Sequence, residues 1–288
     1  MQYDCLGAMH NPSLLPVALF DSGMGGLTVL KALAECLPAE DMIYLGDTAR
    51  LPYGTKGCDT IIRYTLKAAG KLVDMGVKML VVACNTATAT ALPTIRDHFA
   101  PLPVLGVVEP GAMAAAGASR NGQIVVIATE ATIAGGAYQQ AIARIRPEAR
   151  VLGQACTLFV PLAEEGWMKG AIVEGIARHY LKHVFTPAVT TAVTTPRPDT
   201  LLLGCTHFPL LLHALQRVVG PHVRIIDSAA TTAQCVKEEL TRRALLRNAG
   251  HTGVSRFLTT DNCARFARTG SLFLGRPLKP DEVDLIDL

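Results

Sequence analysis

Met79-Leu80-Val81-Val82-Ala83-Cys84-Asn85-Thr86 and Leu201-Leu202-Leu203-Gly204-Cys205-Thr206-His207 carry the strongest structural signal in this chain. In each, a short unbroken aliphatic run leads into a thiol, and small hydroxyl or amide residues follow. Strands buried on both faces of a parallel sheet read as continuous apolar runs rather than as alternating ones. The residues after each thiol suit the start of a helix. A cysteine at a strand end facing a helix N-terminus is placed where a thiolate is stabilised and reachable. One such thiol is a candidate nucleophile or base, and two suggest chemistry on both sides of one substrate.

Working outward, similar runs recur with amphipathic stretches between them. Strands are predicted at Val17–Phe20, Met42–Leu45, Met79–Ala83, Val104–Val107, Ile124–Ala128, Val151–Gln154, Leu201–Gly204 and Val223–Ile226. Helices are predicted at Leu27–Cys36, Thr60–Met75, Ala87–His98, Tyr138–Ile145, Val173–His183 and Thr231–Asn248. Apolar strands alternating with helices give an α/β fold with parallel sheets covered on both faces. The two cysteine runs echo each other, as do two earlier strand ends, Phe20-Asp21-Ser22-Gly23 and Ala128-Thr129-Glu130-Ala131. The echo suits two similar domains facing each other. The Thr- and Pro-rich stretch from Thr186 to Pro198 cannot be a regular helix or a central strand and reads as an exposed loop.

At 288 residues and 50% hydrophobic, the chain can bury a large core, and only 5% aromatic content leaves that core to Val, Leu, Ile and Ala. A net charge of +3 is too weak to imply nucleic acid or an anionic membrane. The late arginines, from Arg242 to Arg276, are interspersed with Glu238, Glu239 and Asp261 and read as solvated helix faces. The first sixteen residues lack the pattern of a signal peptide, and no apolar run approaches the ~20 residues needed to span a bilayer. Eight widely spaced cysteines with no CxxC pair read as reduced thiols of a cytoplasmic protein.

Taken singly, each motif has a plain alternative. Asp21-Ser22-Gly23-Met24-Gly25-Gly26 could cradle an anion at a helix N-terminus or be a tight turn with Asp21 or Ser22 as a cap. It is neither a dinucleotide fingerprint nor a P-loop. In the loop from Gly46 to Gly54, Tyr53 and Gly54 could offer a hydroxyl and an amide to a small polar substrate. Cys84 alone would most often be an inert buried thiol. Cys205 carries more information, because His207 follows and could polarise it. A zinc site at Cys205 and His207 lacks further ligands at metal spacing. Glu164 and Glu165 adjoin the single Trp, and either could set the protonation of His207.

In order along the chain, Phe20-Asp21-Ser22-Gly23, Gly46-Asp47-Thr48-Ala49-Arg50, Pro52-Tyr53-Gly54, Ala83-Cys84-Asn85-Thr86-Ala87, Glu109-Pro110-Gly111, Pro161-Leu162, Gly204-Cys205-Thr206-His207-Phe208-Pro209 and Asp227-Ser228 resemble the glutamate racemases of the cofactor-independent aspartate/glutamate racemase superfamily. The resemblance implies two pseudo-symmetric α/β domains with mainly parallel sheets and an active site in the cleft between them. Residues 1–107 with 227–288 would form the first domain, with a flexible lead-in over 1–15, and residues 108–226 the second.

Carried over by resemblance, Cys84 and Cys205 are the acid/base pair, Cys84 serving the α-proton of D-glutamate and Cys205 that of L-glutamate. Asp21 would assist Cys84, and His207 with Glu164 or Glu165 would assist Cys205. Asp21, Ser22, Tyr53, Gly54, Asn85, Thr86, Thr206 and His207 would contact substrate. No cofactor or metal is expected. Glutamate is the implied substrate and peptidoglycan the destination of D-glutamate. A homodimer is also expected. The alternatives are a racemase for aspartate or another acidic amino acid, or a binding protein on the same scaffold that regulates DNA gyrase.

Overall fold

The computed structural model describes residues 11–185 and 197–288; Cys5, most of the lead-in and the Thr/Pro-rich run up to residue 196 lie outside the described residues. The first half of the chain runs β1 Val17–Asp21, α1 Leu27–Cys36, β2 Met42–Gly46, α2 Cys58–Val73, β3 Met79–Val82, α3 Asn85–His98, β4 Val104–Gly106 and α4 Val108–Ala118. It continues through β5 Gln123–Ala128, α5 Glu130–Ala134, α6 Ala137–Ile145, β6 Arg150–Ala155, α7 Phe159–Glu164, α8 Ala171–Phe185 and β7 Thr200–Gly204. The remainder is α9 Leu212–Val219, β8 Arg224–Ile226, α10 Ala229–Arg242, β9 Ser255–Thr259, α11 Cys263–Leu274 and β10 Val283–Leu285.

The strands form two sheets, ordered β10-β9-β2-β1-β3-β4 and β6-β5-β7-β8, and every pairing is parallel. The α/β class and the parallel sheets are as the sequence indicates. The order 2-1-3-4 in the first sheet repeats as 6-5-7-8 in the second, so β1 corresponds to β5 and β3 to β7. Asp21 and Thr129 therefore stand at equivalent strand ends, and so do Cys84 and Cys205. β9 and β10 extend only the first sheet.

All eight predicted strands and six predicted helices are present, most with ends moved by one or two residues, but the last helix stops at Arg242 rather than Asn248. β1, β2, β3 and β7 are buried along their whole length, which explains their uniform apolar reading. Burial of each large aliphatic side chain in these strands contributes about 1.5–3 kcal/mol. Four apolar clusters result, one on each face of each sheet. Val17, Leu19, Val81, Leu30 and Phe266 belong to one, and Phe20, Val82, Ile61 and Ile95 to the one behind it. Val125, Leu201, Phe159 and Phe208 fill the third, and Val126, Leu202, Ile142 and Ala112 the fourth.

Two local expectations are corrected. Neither Asp21 nor Ser22 caps α1: the helix opens at Leu27 behind Gly26, with no side-chain cap, and Asp21 Oδ2 instead accepts from Gly23 N at 3.0 Å. Cys205 does not open an α-helix as Cys84 does. A turn and a 3₁₀ segment over Phe208–Leu211 separate it from α9.

Candidate active site

The C-terminal ends of β1, β2, β3 and β7, with the turns that follow them, carry Asp21, Ser22, Tyr53, Asn85, Thr86, Thr206 and His207, and all of these are buried. Asp21 is fully buried, Cys84 is 5% exposed and Cys205 8%. Burying this many polar groups is costly unless they are paired or kept for a ligand.

Around Cys84, the thiol sits at the N-cap of α3, where Sγ accepts from Ala87 N at 3.4 Å and donates to Ser22 Oγ at 3.4 Å. Burial pushes this thiol up to about 12, and the neighbouring Asp21 carboxylate adds to the push. Ser22 and the Ala87 amide act in the opposite sense. Asp21 acts on Cys84 through its charge, and burial in turn raises the Asp21 carboxyl above the usual carboxylate range. Cys205 also raises Cys84, so the two thiols lie within electrostatic reach of one another.

The loop after β2 is organised by Asp47, a buried carboxylate. It accepts from Tyr53 Oη at 2.7 Å, Arg50 Nη1 at 2.8 Å and Thr260 Oγ1 at 2.8 Å. Tyr53 thus spends its proton on Asp47 and keeps only its lone pairs for another partner. Gly54 lies against Thr129 of the other half, where a Cβ would sit 2.6 Å from the Thr129 Cβ.

Cys205 belongs to a linear chain of groups. Its Sγ is 3.9 Å from His207 Nδ1, His207 Nε2 is 3.2 Å from Glu164 Oε1, and Glu164 Oε2 is 3.4 Å from Arg265 Nη2. Burial opposes a charge on His207, yet its hydrogen bonds to Cys205 and Glu164 outweigh it and raise the imidazole to about 10. The titratable groups acting on His207 are therefore Cys205 on its own turn, Glu164 from α7 and, more weakly, Asp21 from β1. Glu164, not Glu165, reaches His207; Glu165 closes α7 and is exposed.

Side chains from both sheets meet here. Thr86, Thr129 and Thr132 share hydrogen bonds of 2.9, 3.2 and 2.9 Å, and Asn85 Nδ2 donates to Tyr138 Oη at 2.6 Å. Gly25 is pressed so closely on the opposite half that a Cβ would overlap Thr206 Oγ1 and lie 2.5 Å from His207 Nδ1. Two buried acceptors, Asp21 Oδ1 and Asn85 Oδ1, have no partner among the described residues. Both belong to the cluster around Cys84. Thr129 could have been found from its equivalence to Asp21, whereas Thr132, Tyr138 and Arg265 carry no local signal.

The model of the Asp/Glu/Hydantoin racemase family matches residues 23–236. A glutamate racemase of Geobacter metallireducens is 47% identical over 262 residues, covering 91% of this chain and 93% of that protein. This chain belongs to the glutamate racemase family. The crystal structure of glutamate racemase from Francisella tularensis in complex with D-glutamate superposes with a TM-score of 0.85 at 33% identity, covering 96% of this chain and 98% of that one. The Thermus thermophilus glutamate racemase, solved with β-chloro-D-alanine, gives a TM-score of 0.82 at 39% identity, covering 96% and 98%.

Elsewhere, the described residues give plainer results. Among them no helix is long and apolar enough to cross a membrane, and no three His, Cys, Asp or Glu side chains are grouped to hold a metal ion. The late arginines are largely tied to acids: Arg242 and Arg243 to Glu239, Arg247 to Asp41, Arg256 to Asp284 and Arg276 to Glu282.

Proposed function

We propose that this protein interconverts L- and D-glutamate without a cofactor, using Cys84 and Cys205 as the acid/base pair on opposite faces of Cα. The observation that carries the proposal is the pair of buried thiols at equivalent ends of β3 and β7, each with its own ionisable partners. Inversion needs a proton removed from one face and another delivered to the opposite face. In the L-to-D direction, the Cys205 thiolate takes the α-proton and becomes a thiol, leaving the electron pair on Cα. The Cys84 thiol then gives its proton to the other face and becomes a thiolate. The D-to-L direction reverses both transfers.

The α-proton of an amino acid is far less acidic than a thiol near 8.5, so the site must stabilise the carbanion. Ser22, Thr86 and Thr206 offer hydroxyl donors to substrate carboxylates. Asp21 Oδ1 and Asn85 Oδ1 are acceptors suited to the α-ammonium, which supplies three donors. His207, held by Glu164, stands beside Cys205 to assist it. Tyr53 and Gly54 would complete the wall of the site.

The same reading assigns residues 1–107 with 227–288 to one domain and 108–226 to the other, with substrate held between them. Sheet membership supports that division, since β5 to β8 alone make the smaller sheet. A cytoplasmic homodimer supplying D-glutamate for peptidoglycan completes the proposal.

Circular dichroism of L-glutamate and L-aspartate incubated with the purified protein tests this directly. Racemisation of glutamate with no added cofactor is expected, and preference for aspartate would overturn the substrate assignment. Cys84→Ser and Cys205→Ser should each lower turnover by roughly 10³-fold or more; full activity in either variant would sink the two-thiol scheme.

A further inference from the structure

We propose that Arg265 is a positioning residue for the Cys205 side of the site, fixing Glu164 so that Glu164 holds His207 against Cys205. The inference rests on the two-thiol reading above. Arg265 lies beyond the residues matched by the family model, on the helix α11 that follows the added strand β9.

Three observations carry it. The Glu164 carboxylate is divided between two cations, giving Oε1 to His207 at 3.2 Å and Oε2 to Arg265 at 3.4 Å. With Cys205 as thiolate and His207 protonated, the four groups then alternate in sign from Cys205 to Arg265. Next, Arg265 occupies the first turn of α11, where the positive end of the helix dipole disfavours a cation. Its own backbone N–H is already capped by Asn262 Oδ1 at 3.0 Å, so the helix gives no reason for an arginine there. Finally, the same helix sets Phe273 edge-on against the His207 ring, with centroids 5.0 Å apart. Arg265 and Phe273 are about two turns apart, so one face of α11 meets the chain of groups at both ends.

α11 packs with the six-stranded sheet, through Phe266 and Phe273 in the cluster that holds Leu27 and Leu30. Cys205 and His207 belong to the other sheet, and Glu164 to α7 beside it. Arg265 therefore acts as a latch: the Cys205 chain is complete only while the two halves are together. Its side chain is 52% exposed, so solvent screens the pair and the effect is moderate.

L- and D-glutamate have equal free energies, so kcat/KM is identical in both directions whatever the variant. Substrate deuterated at Cα separates the two sides. In Arg265→Gln, kcat/KM should fall about two- to fivefold in both directions. The isotope effect on kcat/KM should rise for L-glutamate, because removal of its α-proton by Cys205 becomes more rate-limiting. That for D-glutamate should fall. Arg265→Lys, which keeps the charge, should lie between the variant and the unmodified enzyme, and supplies the same readout if Arg265→Gln folds poorly. Unchanged isotope effects, or equal changes in both, would overturn the proposal and leave Arg265 a surface ion pair. An opposite asymmetry, larger for D-glutamate, would support the latch but overturn the assignment of Cys205 to the L face.

Discussion

The Cys84 side and the Cys205 side occupy equivalent positions in two repeats of one topology, yet they manage protons by different means. Cys84 caps a regular α-helix, meets a serine and a backbone amide, and lies near a buried carboxylate that discourages its ionisation. Cys205 leads into a turn, and its partners are an imidazole, a carboxylate and a guanidinium in line. Burial and Asp21 keep the proton on Cys84, while Cys205 faces an imidazole raised to about 10. Identical thiols thus stand in different electrostatic surroundings, a carboxylate beside Cys84 and an imidazole beside Cys205. The fold supplies the symmetry, and the residues flanking the strand ends remove it.

The comparison breaks most severely at Gly25, which touches the Cys205 side from the Cys84 side. Gly25→Val should lower kcat/KM by at least roughly 10²-fold, because a 1 Å displacement of reacting groups carries a penalty of that size. Racemisation assays beside a thermal unfolding scan check this, and near-normal activity would show that the two sides tolerate separation. Next in size, Asp21→Asn should cost roughly 10²-fold in kcat/KM, and it should move the pH dependence of Cys84 alkylation downward. Iodoacetamide labelling read by mass spectrometry measures that shift. An upward shift would contradict the charge effect assigned to Asp21.

His207→Gln sharpens the other side through stability. His207 is raised to about 10 in the folded protein against about 6.5 when unfolded, so its contribution is fully present below pH 6.5. It is lost as the pH rises from there through 10. The unmodified protein should exceed His207→Gln in unfolding free energy at pH 6.5 by on the order of a few kcal/mol, with the gap closing towards pH 10. Urea titrations at pH 6.5, 8 and 10 give the values, and a gap independent of pH would contradict the assigned charge. The smallest effect is expected at Thr132→Val, which leaves the Thr86–Thr129 bond in place. It should cost about 1 kcal/mol of stability and change kcat less than twofold; a large loss of activity would move Thr132 into the site itself.

The strands were legible because parallel strands covered on both faces cannot hide their apolar runs. β9 was not, since Arg256 and polar ends break the run in Ser255–Thr259, and three-residue β10 at the sheet edge carries Asp284. The helix α4 was obscured by Pro110, Gly111 and Gly117. Within the site, Cys84, Cys205 and their flanking residues could be read because each motif is contiguous. The choice between Glu164 and Glu165 could not, because it depends on how α7 meets His207, 43 positions further along. The Arg265 contact spans 101 positions and rests on two halves coming together, which no local pattern encodes.

The seal around Gly25 has a bearing on timing. Every group proposed to touch glutamate is buried, so entry and exit each require the two halves to part and return. Such motions run on the microsecond to millisecond scale and set the turnover of many enzymes. The speed of this racemase then depends on friction with the surrounding solvent, and glycerol or sucrose that thickens the medium should slow kcat even where the proton transfers are untouched.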